Sequence, residues 1–435
     1  MKPLSYLRER ISPQNSLLLL YHRIMAMIAA LWYRFPANRL KVIAVTGTKG
    51  KSTVVHLIAR ILKEAGHRVG VTSTIDFQIG DTVFPNTTKQ STQGPFMLQK
   101  LLREMVRARC EFAVIEATSH ALVQSRLWGV NVDTAVLTNI AKDHLEYHGG
   151  FENYLHAKGT LFENLGRSER KFGLQKTAIL PSEDTHTSYF EAFQADRHIS
   201  YGVGKGIVHA GEIKLTADGS VFALKVPNGE IEVALPMPGE FNVRNALAAA
   251  AATLAFGIKL SVIQKGLQTE TQIPGRLETI HVGQPFTVVV DYAHTEDSLE
   301  KLLSLFRSLT IKKLFVVFGA TGGGRDKGKR PAMGKIAATY ADYVVVTDDD
   351  PYTEDRMEII NQVSAGVGRK EGEGFWKIRD RREAMRLALS LAQEGDTVVI
   401  AGKGCESVQM VGERIEWDDR KVARELLSNE VRVQL

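Results

Sequence analysis

The chain has 435 residues, 44% of them hydrophobic, which is too long for one ordinary core and apolar enough to fill two or three. Its two cysteines, Cys110 and Cys405, exclude a disulfide framework and leave no Cys/His spacing for a structural zinc, so a reducing cytoplasm is the expected compartment. The net charge of +6 is dispersed among alternating basic and acidic residues, which argues against a nucleic-acid partner and fits anionic small substrates.

Residues 17–20 and 24–33 form an apolar stretch preceded by Lys2, Arg8 and Arg10. His22 and Arg23 interrupt it, leaving about ten uninterrupted apolar residues where a spanning helix needs ~20, and no small-residue cleavage pattern follows. A buried or interfacial helix is expected over 1–40, with peripheral membrane contact through 17–33 as its interfacial form. A β-rich run at 40–45 then meets Thr46-Gly47-Thr48, and helical spacing over 53–65 follows. Further strands are predicted at 68–72, 112–116 and 134–138, with a helix at 96–107 between them. Strands alternating with helices predict a parallel sheet with crossover helices. Over 171–236 short alternating runs with turn residues predict an antiparallel addition, and an alanine-rich helix over 242–256 follows. A new strand–helix series begins at 287–291 and continues through 314–318, 343–347 and 397–401. The fold class is therefore α/β: a central P-loop ATPase domain (41–274) with a mostly parallel sheet, then a C-terminal Rossmann-like α/β domain (275–435), divided near Pro274-Gly275 by the change of pattern.

Thr46-Gly47-Thr48-Lys49-Gly50-Lys51-Ser52-Thr53 lies where a strand hands over to a helix. There, backbone N–H groups and the helix N-terminus face an anion, Lys51 supplies a point charge, and the Ser52 hydroxyl can ligate Mg²⁺. The general P-loop spacing is not met, since its first glycine would fall at Val45. Such a loop names a nucleotide and not a reaction. Glu116 ends a predicted strand, from which an acid can reach a metal at Ser52. His120 and Asp143-His144 follow neighbouring strand ends, so acid and imidazole groups converge on one sheet edge and two metals are expected.

With these residues assembled, the chain resembles the Mur ligases, of MurE type, from about residue 41 onward. The motifs, in order, are the loop 46–53; Glu116-Ala117-Thr118-Ser119-His120-Ala121-Leu122; Thr138-Asn139 with Asp143-His144-Leu145-Glu146-Tyr147-His148-Gly149; Gly239-Glu240-Phe241-Asn242; Pro274-Gly275-Arg276; Asp291-Tyr292-Ala293-His294-Thr295; Gly324-Arg325-Asp326-Lys327-Gly328-Lys329-Arg330-Pro331; and Gly402-Lys403-Gly404. The resemblance implies ATP-dependent ligation: the γ-phosphoryl group passes to a carboxylate of a cell-wall peptide precursor, and the amine of an amino acid attacks the acyl phosphate. It implies that Lys51 holds the β/γ-phosphates, that Ser52 and Glu116 hold one Mg²⁺, and that Glu116 and His144 hold a second. Lys158 matches a position where the family carries a carbamylated lysine, although the residues alone suggest a helical surface lysine. Asn242 matches a residue near the nucleotide, Arg276 a phosphate contact, Asp291 a ribose contact, and His294 a residue near the transferring phosphoryl group. The last three lie beyond the central domain, which implies domain closure over ATP. For the acceptor the likeness indicates Thr87, Thr88, Ser119, Gln124 and Arg126. A monomer is expected.

Two departures shape the expectation. Members of this type carry a uridine-binding domain ahead of the loop, where here about forty residues stand; the expectation is a short form in which uridine recognition is in doubt, with a lipid-linked acceptor lacking UDP as one alternative. Diaminopimelate-adding members carry Asp-Asn-Pro-Arg, whereas this chain has Asp349-Asp350-Pro351-Tyr352, and tyrosine cannot form the bidentate pair that arginine offers a carboxylate. Asp348, Asp349 and Asp350 instead favour a cationic side chain such as lysine or ornithine, unless they are ordinary solvated turn residues. Arg325 is left to bind the amino acid's carboxylate, and Glu406 remains beside Cys405. The competing readings are a folylpolyglutamate-synthase-like or poly-γ-glutamate ligase, opposed by the 143–149 and 325–331 motifs, and a non-ligating subunit, whose four-cysteine zinc element two cysteines cannot build.

Overall fold

A computed structural model describes residues 15–143, 145–216, 219–269, 272–324 and 327–433. The described residues divide into two compact units, one of residues 15–215 together with 219–269, the other of residue 216 with those from 272 onward.

The first unit is built on an eleven-stranded sheet. Its strands are β1 (Lys41–Thr46), β2 (Val69–Thr72), β3 (Asp76–Ile79), β4 (Thr82–Pro85), β5 (Phe112–Glu116), β6 (Thr134–Leu137), β7 (Thr177–Pro181), β8 (Arg197–Val203), β9 (Val208–Leu215), β10 (Ser220–Val226) and β11 (Gly229–Leu235). The order is β11-β10-β9-β8-β7-β6-β1-β5-β2-β3-β4. Every pair from β2 across to β9 is parallel, while β3–β4 and β9–β11 run antiparallel. The predicted antiparallel addition over 171–236 is therefore corrected. Only β9–β11 form it, because the short helix Thr187–Glu191 carries the chain from β7 to β8 as a parallel crossover. Strands β1, β5 and β6 are apolar and almost wholly buried, as expected of central parallel strands covered on both faces.

The sheet's inner strands share one buried core with the helices Pro95–Arg107 and Phe151–Arg167, centred on Ile115, Leu137, Leu102, Met105 and Phe162. The helix after the loop runs Lys51–Glu64, so Lys51 and Ser52 already belong to its first turn. The alanine-rich helix runs Glu240–Leu254, buried on nearly every side. Ser16–Trp32 is helical, with Asn15 capping its first turn. No described helix is long and apolar enough to cross a membrane.

A buried charge cluster holds the amino-terminal ends of three strands. Asp133, just before β6, accepts the amide of Val42 in β1 at 2.8 Å and pairs with Lys171 at 2.8 Å and Lys176 at 3.0 Å. Lys171 also donates to the carbonyls of Ala37, Leu40 and Asn131. Burial lowers the Lys171 pKa to about 8, against the pull of Asp133.

The second unit has a six-stranded sheet of β12 (Glu278–Thr279), β13 (Thr287–Asp291), β14 (Leu314–Phe318), β15 (Tyr343–Val346), β16 (Phe375–Lys377) and β17 (Thr397–Ala401), in the order β12-β13-β17-β14-β15-β16. All pairs but the β12 edge are parallel. A hairpin of β18 (Val408–Val411) and β19 (Glu413–Glu416) follows.

Candidate active site

Ligands of open parallel sheets gather beyond the carboxyl ends of the strands, and the loop after β1 lies there between those after β5 and β6. Gly47 has φ +143° and Gly50 φ +81°. A Cβ on Gly47 would stand 1.9 Å from Thr138 Oγ1, and one on Gly50 would stand 2.3 Å from Asn245 Oδ1. The loop is thus bare backbone against a polar wall. Thr138 and Asn139 fasten it by donating to the Lys49 carbonyl at 2.6 and 3.0 Å, and Asn139 Oδ1 accepts the Lys49 amide at 3.0 Å. Thr48 Oγ1 meets Tyr154 OH at 2.8 Å, and Lys49 pairs with Asp143 at 3.3 Å. Lys51 curls back onto the carbonyls of Gly47 and Thr48 at 3.0 and 2.9 Å. Among the described residues no side-chain cap is seen on the helix that starts here, and its first turn presents the positive end of the dipole. A polyphosphate fits such a cradle.

Ser52 Oγ, buried beside Thr53, donates to Glu116 Oε2 at 2.9 Å. Glu116 is no solvated strand end: it is 2% exposed and also accepts the Thr74 amide at 2.8 Å and hydroxyl at 3.0 Å. Thr74 is braced in turn by Ser91 at 2.7 Å. Behind it, His56 bridges the Ser52 carbonyl at 2.8 Å and Asp76 at 3.1 Å. This acid-and-hydroxyl pair has the oxygen donors that Mg²⁺ takes.

Lys158 is the clearest correction to the reading of residues alone. It is 1% exposed, on the inward face of the helix Phe151–Arg167, with Nζ donating to the Gly47 carbonyl at 2.7 Å. Burial, and then the charge of Lys51, pushes its pKa well below the ordinary lysine value, with Asp143 pulling the other way. Asn242, also buried, donates to the Pro238 carbonyl at 2.9 Å and accepts from Asn245, the residue backing Gly50, at 3.2 Å. His144 lies outside the described residues.

The five residues indicated for the acceptor occupy linked positions. Arg126 grips Gln124 Oε1 at 2.7 and 2.9 Å and reaches the Thr92 carbonyl and Gln90; burial lowers its pKa. Gln124 donates to Tyr147 OH at 2.9 Å, whose ring lies 3.8 Å from that of His120. Ser119 meets His148 Nε2 at 3.0 Å. Thr88 accepts from Gln93 at 2.9 Å, and Thr87 is exposed beside it.

In the second unit, Asp291 ends β13 and accepts the amides of Leu277 and Ala293, each at 2.8 Å. Burial raises its pKa against the pull of Arg276. Arg276 lies 4.5 Å over the Tyr292 ring, and His294 Nδ1 meets the Tyr292 carbonyl at 2.8 Å. The acids at 348–350 are not solvated turn residues, for all three are buried. Asp348 is paired with Arg356, and Asp350 with Lys403 at 3.0 Å, while Glu406 takes the same ammonium at 2.6 Å. Burial works against the Lys403 charge, but Asp349, Glu406 and Asp350 together outweigh it and raise its pKa. Asp349 stands against Gly402. Arg325 lies outside the described residues.

Sequence reasoning missed Thr74, Ser91, His56, Asp76, Tyr154 and Asn245. Asn245, His56 and Tyr154 carried a readable signal, each standing one helical turn from Asn242, Ser52 and Lys158 respectively; Thr74, Ser91 and Asp76 reach the site through pairings between distant segments.

The family described as Mur ligase middle domain matches residues 45–253, and that described as Mur ligase, glutamate ligase domain matches 275–404. A UDP-N-acetylmuramoyl-L-alanyl-D-glutamate–2,6-diaminopimelate ligase of Geobacillus thermodenitrificans is 43% identical over 408 residues, covering 92% of this chain and 82% of the relative. A UDP-N-acetylmuramyl-tripeptide synthetase of Roseiflexus sp. is 40% identical over 416 residues, covering 93% and 82%. A solved diaminopimelate ligase of the first kind superposes with a TM-score of 0.63 at 33% identity, covering 90% of this chain and 79% of that one. Folylpolyglutamate synthase of Mycobacterium tuberculosis, solved with ADP, superposes with a TM-score of 0.70 over 92% and 94% of the two chains, but at 19% identity that likeness shows the fold alone.

Proposed function

The chain belongs to the Mur ligases, ATP-dependent and ADP-forming acid–amino-acid ligases, and we propose that it extends a muramoyl peptide precursor by one amino acid through an acyl phosphate. The observation that carries this reading is the bare glycine loop beside the buried Ser52–Glu116 pair, which provides for a polyphosphate and a hard cation at adjacent positions.

In this reading the amides of 47–53 and the Lys51 ammonium hold the β- and γ-phosphates, with Asn242 near the nucleotide. Ser52 and Glu116 would hold Mg²⁺ and Glu116 with His144 a second ion, which would supply positive charge to the transferring phosphoryl group. Thr87, Thr88, Ser119, Gln124 and Arg126 orient the acceptor so that its carboxylate oxygen attacks the γ-phosphorus as ADP departs. Arg276, Asp291 and His294 serve the nucleotide, and Arg325 and Glu406 the incoming amino acid. Its neutral amine then attacks the acyl carbon, and the amide bond forms as the C–O bond to phosphate breaks and the nitrogen's surplus proton leaves with the inorganic phosphate. Burial favours the uncharged amine of Lys158 over the ammonium; that amine would add CO₂ with release of one proton, and the resulting carbamate would offer the metals an oxygen ligand as a carboxylate does. The domains assigned are 41–274 and 275–435, and the protein is taken as a cytoplasmic monomer.

The donor is proposed to be lysine or ornithine. Tyr352 offers a distal carboxylate no charged pair. Asp348 and Asp350 are paired with Arg356 and Lys403, so the acidic preference rests on Asp349, whose Oδ2 is buried without a hydrogen bond among the described residues and whose charge also acts on Lys403. The test is phosphate release from ATP and Mg²⁺ with UDP-MurNAc-L-Ala-D-Glu, amino acids added singly and products weighed by mass spectrometry. Turnover with lysine or ornithine supports both parts; turnover with diaminopimelate alone overturns the donor assignment. No turnover with any amino acid, from protein that binds ATP, removes the UDP-linked acceptor and directs the search to acceptors without UDP.

A further inference from the structure

The helix Ser16–Trp32 has two apolar faces. Ala26, Ala29 and Ala30 are fully buried, on a helix that packs with Pro95–Arg107. A Cβ on Gly129 would stand 2.7 Å from that of Ala30, so small residues seat the helix closely on its own unit. On the opposite face Leu17, Leu20, Tyr21, Ile24, Ile28 and Leu31 are 45–77% exposed, and Trp32 is 76% exposed at the end of the row. Their spacing of three and four residues gathers them into one stripe, about a third of the helix circumference. Single exposed apolar residues are ordinary, but a contiguous stripe marks an interaction surface.

The charge around the stripe selects the partner. From residue 10 to residue 63 the sequence holds no aspartate or glutamate, and Arg23, Arg34 and Arg39 are exposed on and just after the helix. A second copy meeting this face through a two-fold axis would set like charges together. Anionic headgroups would instead meet the arginines while the stripe enters the acyl boundary, with Trp32 and Tyr21 at the depth their amphipathic rings prefer. The helix has 17 residues and is not one that crosses a membrane; it suits the plane of the interface.

We infer that this stripe docks the protein on an anionic lipid bilayer. Docking would bring the ligase to membrane-borne carboxylate acceptors, a consequence that rests on the function proposed above; the docking itself does not.

The test is flotation of the full chain with phosphatidylcholine vesicles, with and without phosphatidylglycerol. The wild type should float with the anionic vesicles and less so at high salt. Leu20→Glu/Ile24→Glu/Leu31→Glu should lower the bound fraction about tenfold or more, and Arg23→Glu/Arg34→Glu should lower it on anionic vesicles. The replaced side chains are exposed, so thermal unfolding should match the wild type. If a variant misfolds, a vesicle-induced blue shift in wild-type emission, absent in Trp32→Phe, reads the same contact. A wild type that stays at the bottom with both vesicle types overturns the proposal. So does a dimer in light scattering that the triple variant converts to monomer, which assigns the stripe to a second copy. Ligation of a soluble acceptor by the triple variant separates the two readings, because its loss in wild type and variant alike counts against the function and leaves the docking result standing.

Discussion

Thr74→Val removes one hydroxyl from the clasp on Glu116 and leaves the shape of the side chain nearly unchanged. The carboxylate would keep Ser52 Oγ at 2.9 Å and the residue 74 amide at 2.8 Å, and would lose the contact at 3.0 Å. A hydrogen bond to an ionised acceptor contributes about 1.5–3 kcal/mol, and the half-buried setting of Thr74 favours the lower end, about 1.5 kcal/mol. At about 1.4 kcal/mol per factor of ten, a Glu116 that ligates Mg²⁺ should then require roughly tenfold more of it. The assay is ATP-dependent phosphate release titrated with Mg²⁺ at saturating substrates, with Thr74→Ser alongside. We expect the half-saturating concentration to rise in Thr74→Val and to return in Thr74→Ser, with a similar plateau in each. An unchanged Mg²⁺ dependence in folded Thr74→Val would refute the claim that this clasp orients a metal ligand. An equal defect in Thr74→Ser would attribute the effect to the lost methyl.

Gly47→Ala should weaken ATP binding more than tenfold in calorimetry, because its Cβ meets Thr138 Oγ1 and the Asn139 backbone at 1.9 and 3.1 Å and φ is +143°. Lys158→Ala should cost about 10–100-fold in turnover and, if a carbamate acts there, recover part of it with added short-chain carboxylates; no rescue by any carboxylate counts against the carbamate. Lys171 gives a pH signature. Its folded pKa of about 8 lies below the unfolded value of about 10.4, so between these the unfolded state binds more protons and stability rises with pH. The unfolding free energy of the wild type relative to Lys171→Met, from urea titrations, should therefore increase from pH 7.5 to pH 9.5 by up to about 2 kcal/mol, and a flat difference would contradict the depressed pKa.

The alternation of strand and helix was readable because buried parallel strands are continuous apolar runs: 112–116, 287–291, 314–318 and 397–401 match β5, β13, β14 and β17 to the residue. The parallel β7–β8 step was not, since a five-residue helix set among turn formers leaves no period to detect. Lys158 was legible in principle, for Phe151, Tyr154, Leu155, Leu161, Phe162 and Leu165 set an inward stripe and 158 falls within it; residue type outweighed position. The acids at 348–350 could not have been read as buried. Of their compensating cations, Lys403 comes from 53 residues away and Arg356, though only eight residues beyond Asp348, turns back on it only in the folded loop, and a charge run shows nothing of what folds back onto it. The same holds for the Glu116 clasp, in which Thr74 and Ser52 come from either side of a strand and a helix.

The Asp133 cluster divides labour along the first sheet. One carboxylate and two ammonium groups tie β1, β6 and the approach to β7 at their starts, the margin opposite the one where the glycine loop and Glu116 sit. Substitutions at the two margins should therefore fail in different ways: at the tied margin as lost protein, at the other as intact protein with altered chemistry. A chain descended from this one could exchange donor, acceptor or metal by editing loops on one side while inheriting its foundation unchanged from the other.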